Sequence, residues 1–384
     1  MELVNATSFP AAYTLGREPS GRESLVVAVK GTYQFPEPGT EPVLAAEQAA
    51  LVMADTFDGE PGFSSPVYEA DFAPVKRRAD LLVVGSAHAP DGRPVERLRA
   101  GIRVGPVSKL LGVVGDRVWQ AGAGGARASR PQPFATMPLS YCRAFGGNDT
   151  ADPEPKNHSA YLQNPVGVGY HRVSLAGAID GRPLPNLEEE KKPVTSPTGG
   201  YHPMSLGPVG RGWQPRLKFA GTYDEAWLKD VFPFLPADFD AAYYQAAPGD
   251  QQGAPLVGGE EVVLLNLTPE GRTAFRLPSV ALPVTFFRKG GGHEAVEAQA
   301  DTLVIEPDLR RFSITWRASL VLRRDLFEVP QILVGRRSRA WWIAHETGKD
   351  YFPSLGELVA TRASEEAEEA AAAAGVAEGL EAEP

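Results

Sequence analysis

Residues 310–320 read RRFSITWRASL, with Phe312, Ile314, Trp316 and Ala318 on one face and Arg311, Ser313, Thr315 and Arg317 on the other. Side chains of a strand alternate between its two faces, so the pattern predicts a half-buried antiparallel strand. Thr302 to Glu306, followed by the turn residues Pro307-Asp308, predicts its hairpin partner. The same reading gives strands at 24–35 (SLVVAVKGTYQF), 79–89 (ADLLVVGSAHA), 96–105 (ERLRAGIRVG) and 110–119 (LLGVVGDRVW). The turn signal Pro90-Asp91-Gly92-Arg93 separates two of them. Towards the C-terminus, EVVLLNL at 261–267 and RTAFRL at 272–277 flank the turn Thr268-Pro269-Glu270-Gly271, and ALPVTFFR follows at 281–288. Residues 121–130, AGAGGARASR, offer no side chains for a core and are expected to be a flexible junction.

The centre of the chain breaks this pattern. Between Tyr161 and Arg216 there are 17 Gly plus Pro in 56 residues. Proline lacks the amide donor and glycine resists ordering, which excludes long helices. Yet the stretch is rich in Tyr, Trp, Phe, Met and Leu, unlike a polar linker. It reads as a long ordered loop packed onto a scaffold, a kind of loop that is often functional. Helices are expected only near its end. Thr222-Tyr223-Asp224-Glu225 matches a capping box ahead of AWLKDVF, Pro233 and Pro236 stop that helix, and 237–246 can form another short one.

The expected fold is therefore mainly β. Antiparallel, sandwich-like regions at 1–125 and 256–360 flank a Pro/Gly/aromatic-rich region at 126–255 with a few short helices. A further capping-box pattern at Ser354-Leu355-Gly356-Glu357 leads into an Ala/Glu-rich tail at 361–384, expected to be disordered because it has almost no apolar stripe beyond Ala.

Composition changes this picture little. Of 384 residues, 43% are apolar and 22% charged, as in soluble globular proteins. The net charge of −10 is mostly a property of the tail. Seven Glu and no Lys or Arg follow Arg362, leaving −10 + 7 = −3 for the rest. No basic stripe suggests nucleic acid. No signal peptide and no run of about 18 apolar residues is visible, so the expectation is a cytoplasmic protein without membrane insertion. Cys142 is the single cysteine.

Candidate chemistry is sparse. Residues 53–74 carry Asp55, Asp58, Glu60, Glu69 and Asp71, which could form a divalent-cation site or a catalytic carboxylate pair. Their spacing does not match an EF-hand loop, and a solvated loop with Asx turns is the plainer reading. His158, His171 and His202 fall in the central stretch without metal-ligand spacing, and Cys142 with His171 forms no recognised nucleophile motif. No GxSxG elbow, phosphate-binding loop or dinucleotide fingerprint is present. No catalytic, cofactor or metal residue is assigned.

Several long segments carry a resemblance. They include MELVNATSFPAAYTLGREPSG, LVMADTFDGEPGFSSPVYEADFAP, MPLSYCRAFGG, NPVGVGY, LGPVGRGWQPRLKFAGTYDEAWLKDVFPFLPADFD, YYQAAPGDQQ and DTLVIEPDLRRFSITWRA. Over about Met1 to Val359 the chain resembles the bacterial domain family of unknown function DUF2169. Members of that family lie in type VI secretion gene clusters. The resemblance therefore implies a non-catalytic adaptor or chaperone that loads an effector, a PAAR-like (DUF4150-type) protein or both onto the VgrG spike. A protein of this kind needs aromatic and apolar anchors, and Tyr201, Met204, Trp213, Trp227, Phe232 and Phe234 are the candidates. Two alternatives are a hydrolase or metal-dependent enzyme using the carboxylates at 55–71 and a structural part of the secretion apparatus.

Overall fold

In the computed structural model the alternating stretch is the strand Arg311–Val321, paired with Glu23–Gln34 on one side and with Gln299–Glu306 on the other. The residues described are all except 19, 123, 173–175, 353, 355, 357, 360, 361 and 365–384. The expected capping box at 354–357 and the acidic tail therefore lie largely outside them. The chain divides into two compact units, 1–335 and 336–384.

The first unit is built on three larger sheets. A six-stranded sheet has the order Gln252–Gly253, Ala79–Val83, Gln299–Glu306, Arg311–Val321, Glu23–Gln34, Ala11–Arg17. All its pairs are antiparallel except Ala79–Val83 with Gln299–Glu306. A five-stranded antiparallel sheet runs Leu187–Glu188, Val107–Val114, Arg97–Val104, Glu261–Leu265, Arg272–Arg276. A four-stranded sheet runs Glu2–Asn5, Gln331–Val334, Pro283–Phe287, His293–Glu297. Strands from both sides of the expected boundaries at 125 and 256 thus share every one of these sheets. The edge strands Leu187–Glu188 and Gln252–Gly253 come from the central stretch itself.

One face of the six-stranded sheet is apolar. Leu25, Val27, Val29, Leu81, Leu303, Ile305, Phe312, Ile314 and Trp316 join the main core with Ile102, Leu111, Val262 and Phe275 of the five-stranded sheet. The rings of Phe275 and Phe312 stack across this interface at 5.0 Å, and Phe9 stacks on Trp316 at 5.6 Å. The opposite face carries Lys30, Thr32, Asp80, Thr302, Ser313, Thr315 and Arg317, and all are buried. Arg311–Val321 is thus buried on both faces rather than half-buried. The cover over the polar face comes from the acidic segment near residues 45–76.

The central stretch is ordered by its own contacts. The parallel pair Phe145–Gly146 and Val168–Gly169 brings two glycine-rich turns together. A Cβ on Gly167 would lie 2.5 Å from the Ala144 carbonyl, and one on Gly147 2.3 Å from the Gly167 carbonyl, so only glycine permits this crossing. The Asn164 amide clips the crossing by donating to the carbonyls of Tyr141 and Phe145. Trp119, Phe145, Ile179, Leu184, Val194 and Tyr201 form a second core there. The expected flexible junction at 121–130 is instead part of a hairpin, Trp119–Gly122 with Gly125–Ala128. Its small residues are what lets it lie close: Ala126 and Ala128 pack on the second core beside Trp119.

Helices are few. The expected capping box at 222–225 is displaced, because Asp224 is the N-cap of Glu225–Asp230, accepting from Trp227 N, while Thr222 donates to Asp238. In the second unit, Arg339–Thr347 is a helix capped by Ser338 and ended by Gly348 in the left-handed region, an element not anticipated from the sequence. Among the described residues no helix is long and apolar enough to cross a membrane.

Candidate functional site

The acidic segment is a solvated loop at 58–63, where every residue is exposed, while its carboxylates Asp55, Glu69 and Asp71 are held by cations. Asp71 pairs with Lys30 and also accepts from Thr315 Oγ1 at 3.0 Å and Val52 N at 2.7 Å. The guanidinium of Arg317 holds Asp301 through two hydrogen bonds of 2.7 and 3.1 Å and donates to the Asp71 carbonyl. Asp301 sits at a register shift in its strand, an irregularity of the kind that re-aims a side chain. Lys76 lies 2.6 Å from Asp80 and 3.6 Å from Glu69. Glu69 accepts from Arg211 at 2.7 Å and Arg216 at 2.5 Å, and Arg211 also holds Asp55 at 2.6 Å. Five cations (Lys30, Lys76, Arg211, Arg216, Arg317) thus meet five carboxylates (Asp55, Glu69, Asp71, Asp80, Asp301).

This balance explains the protonation states. Burial works against the Lys76 ammonium, but Asp80, Glu69 and Asp301 outweigh it and raise its pKa. Burial pushes the Asp55 carboxyl up, and hydrogen bonds from Arg211 and Ala70 N together with the two arginine charges hold it below the usual carboxylate range. A depressed folded-state pKa stabilises the fold at neutral pH. We therefore expect the Asp55 contribution to be complete above about pH 4 and to be lost as pH falls through the lower folded value. An acid titration of unfolding, compared between the native chain and Asp55→Asn, checks this; identical acid limbs would contradict it.

The remaining candidate catalytic groups do not come together. Cys142 Sγ lies 3.9 Å from Asp58 Oδ1, and burial followed by the Asp58 charge pushes the thiol up, the reverse of what a nucleophile needs. His171 is buried and pairs instead with Asp149 at 3.1 Å, and His158 Nε2 lies 2.9 Å from the Asp152 carbonyl. The His202 backbone N–H donates to Glu189. Among the described residues no three His, Cys, Asp or Glu side chains gather as around a metal ion.

Of the six proposed anchors, two are core residues. Trp213 belongs to the main core and meets Tyr141 edge-on at 5.2 Å. Tyr201 packs edge-on against Phe145 at 4.9 Å, and its hydroxyl accepts from the N–H groups of Thr195 and Ser196. Met204 is partly buried against the main core. Tyr201 and Trp213, named above as candidate anchors, are thus buried in the isolated chain. Tyr201→Ala should destabilise by about 3 kcal/mol through a cavity and two orphaned amides. Tyr201→Phe should lose about 1 kcal/mol, that of the hydroxyl contacts alone. Denaturant unfolding of both variants reads this; an alanine variant as stable as the native chain would contradict it.

The other three anchors share a projection at 222–239. Trp227 is its pivot, with Nε1 donating to the Phe234 carbonyl at 2.9 Å and its ring edge-on to Tyr223 at 4.7 Å and Phe232 at 5.7 Å. The base is clipped by the Thr222 amide and hydroxyl, which donate to Asp238 at 2.9 and 2.7 Å, and by the Arg17 guanidinium over Phe234 at 5.2 Å. On this frame Phe232 is 61% exposed, Leu228 62%, Tyr223 53% and Phe234 43%. Tyr223 and Leu228 were not singled out from the sequence, although both lie in or beside the helical run AWLKDVF. A cleft of about 410 Å³ lies between the acidic segment and residues 208–213, bordered by Phe57, Pro66, Pro165, Pro208 and Arg211. Arg216 ties this cleft to the projection's neighbourhood. It donates to the carbonyls of Val209 and Tyr243, and the Tyr243 ring meets that of Phe239 at 6.0 Å.

A search of curated proteins finds no match, and neither does a search of solved structures. A family model described as an uncharacterized protein conserved in bacteria (DUF2169) matches residues 20–317. That span takes in the acidic segment, the glycine crossing, the cleft and the aromatic projection. The chain belongs to the DUF2169 family of bacterial proteins.

Proposed function

We propose that this protein is a non-catalytic adaptor that holds a type VI secretion effector or a PAAR-like protein for loading onto the VgrG spike. The observation that carries the reading is the projection at 222–239. Four large apolar side chains stand in solvent on a short element whose base is clipped by hydrogen bonds. A contiguous exposed apolar patch marks a protein contact, and pre-ordered anchors lose little entropy on binding. The cargo class comes from the family resemblance. Of the carboxylates that a hydrolase would use, Asp55, Glu69 and Asp71 are committed to arginine and lysine partners, and Asp58 accepts from Ser65 N and Ser140 Oγ, which supports the non-catalytic reading.

The test uses cells carrying the whole gene cluster. A photoreactive residue at Leu228 or Phe232 should crosslink to a cluster-encoded protein, and one at Val257, which is 79% exposed elsewhere, should not. Phe232→Ala should weaken capture about tenfold, roughly 1.4 kcal/mol, while stability stays within about 0.5 kcal/mol. Crosslinks confined to Val257, or unchanged capture by Phe232→Ala, would overturn the proposal.

A further inference from the structure

A second surface lies in the first unit, away from the acidic segment. The hairpin Pro283–Phe287 with His293–Glu297 turns through Arg288, Lys289 and three glycines, Gly290 to Gly292, all with positive φ. The loop at 322–328 joins Arg311–Val321 to Gln331–Val334. The two meet where Lys289 N donates to the Glu328 carbonyl at 2.8 Å. Between them is a cleft of about 460 Å³, lined by Arg288, Lys289, Arg323, Arg324, Asp325, Phe327 and Glu328.

The carboxylates of this cleft are occupied within the chain. Glu328 accepts from Arg323 N at 2.9 Å and Arg324 N at 3.0 Å and pairs with Arg288. Asp325 caps its own turn by accepting from Phe327 N. Glu294, behind the cleft, takes Arg288 at 2.7 Å and Arg323 at 3.3 Å. Lys289 and Arg324 are exposed and have no ion-pair partner among the described residues. Four cations lining the cleft meet its two lining carboxylates and Glu294, which leaves a local excess of +1, with Lys289 and Arg324 outside any ion pair among the described residues. Beside these cations Phe327 is 80% exposed, although its loop is held in place by the Glu328 contacts.

We propose that this cleft docks an acidic peptide segment of a partner protein, with carboxylates on Lys289 and Arg324 and an apolar side chain on Phe327. Charge complementarity selects the occupant. A nucleic acid follows an extended basic stripe, and here the unpaired positive charge is confined to two side chains on one small cleft. A free phosphate would leave Phe327 without a partner. A peptide alternating carboxylates with leucine satisfies both features. The loop at 322–328 lies beyond the span matched by the family, and the inference does not rest on the adaptor reading.

Fluorescence anisotropy of the full-length chain with a labelled Asp-Glu-Leu-Asp-Glu-Leu peptide tests it. Binding should weaken about tenfold between 50 and 300 mM salt, because rim charges are screened. The double variant Lys289→Glu/Arg324→Glu should lose at least about tenfold in affinity, and Phe327→Ala about fivefold. Both variants alter exposed positions, and matching unfolding curves confirm that they fold. Equal binding by the native chain and the charge-reversed variant would overturn the proposal. So would unchanged affinity of Phe327→Ala, or displacement by inorganic phosphate or an oligouridylate as effective as by unlabelled peptide.

Discussion

Asp80→Ala is expected to destabilise the protein by about 3–5 kcal/mol, the scale of breaking a buried ion pair from one side. Asp80 has no exposed surface. Its Oδ2 accepts from Lys76 Nζ at 2.6 Å and Ala246 N at 2.8 Å, and its Oδ1 from Gln245 Nε2 at 2.9 Å and Ala247 N at 3.1 Å. Truncation removes all four contacts. Two backbone amides are left without acceptors, and the Lys76 ammonium keeps only Thr302 Oγ1 at 3.2 Å and Glu69 at 3.6 Å. Removing the charge as well should recover part of the loss, since most of the penalty is an uncompensated buried cation. The double variant Asp80→Ala/Lys76→Met should therefore cost less than the sum of its singles by about 1 kcal/mol or more. Equilibrium denaturation of the three variants measures this. Strict additivity, or a single-variant cost below about 1 kcal/mol, would show that the network is not what holds the acidic segment to the sheet.

Trp316→Ala should cost a similar amount, about 3–5 kcal/mol, for a different reason. Trp316 is on the apolar face of the six-stranded sheet, opposite Val29 and Ala300 on the neighbouring strands. Its ring stacks on Phe9 with an interplanar angle of 10°, and its Cζ3 lies 3.1 Å from where a Cβ on Gly31 would stand. The glycine makes room for the indole, so no larger neighbour is placed to fill the hole. The cost is a cavity rather than an orphaned charge, and it should be independent of pH and salt. Trp316→Phe, which keeps much of the volume, should lose less than half as much. A salt-dependent loss, or equal losses for Phe and Ala, would argue against cavity formation.

Much of the strand content was legible because it is local. The alternation through Phe312, Ile314 and Trp316, the Val-rich run at 24–35 and the turn at 268–271 each specify backbone geometry within a few residues. The turn at 90–92 was legible in the same way. Capping was read correctly in kind and misplaced by two residues: Thr222 had a competing acceptor in Asp238, sixteen residues away, which no local pattern reveals. The hairpin at 119–128 was missed because its stability comes from Trp119 and the second core rather than from its own Gly and Ala side chains.

What the chain order alone determined is a β-rich protein with a dense, ordered glycine and proline centre, since periodicity and backbone freedom are properties of neighbouring residues. Which strands share a sheet, and whether a polar side chain meets water or a counter-ion, depends on residues hundreds of positions apart. Thr315 and Arg317 look solvent-facing in sequence and are buried against Asp71 and Asp301. Tyr201 and Phe232 look alike in sequence, as aromatics within or beside the Pro/Gly-rich stretch. The tertiary structure buries the first in a second core and leaves the second in solvent. The physical reason is the same in each case: burial is decided by what the rest of the chain lays over a residue, and that is set by long-range pairing and charge balance.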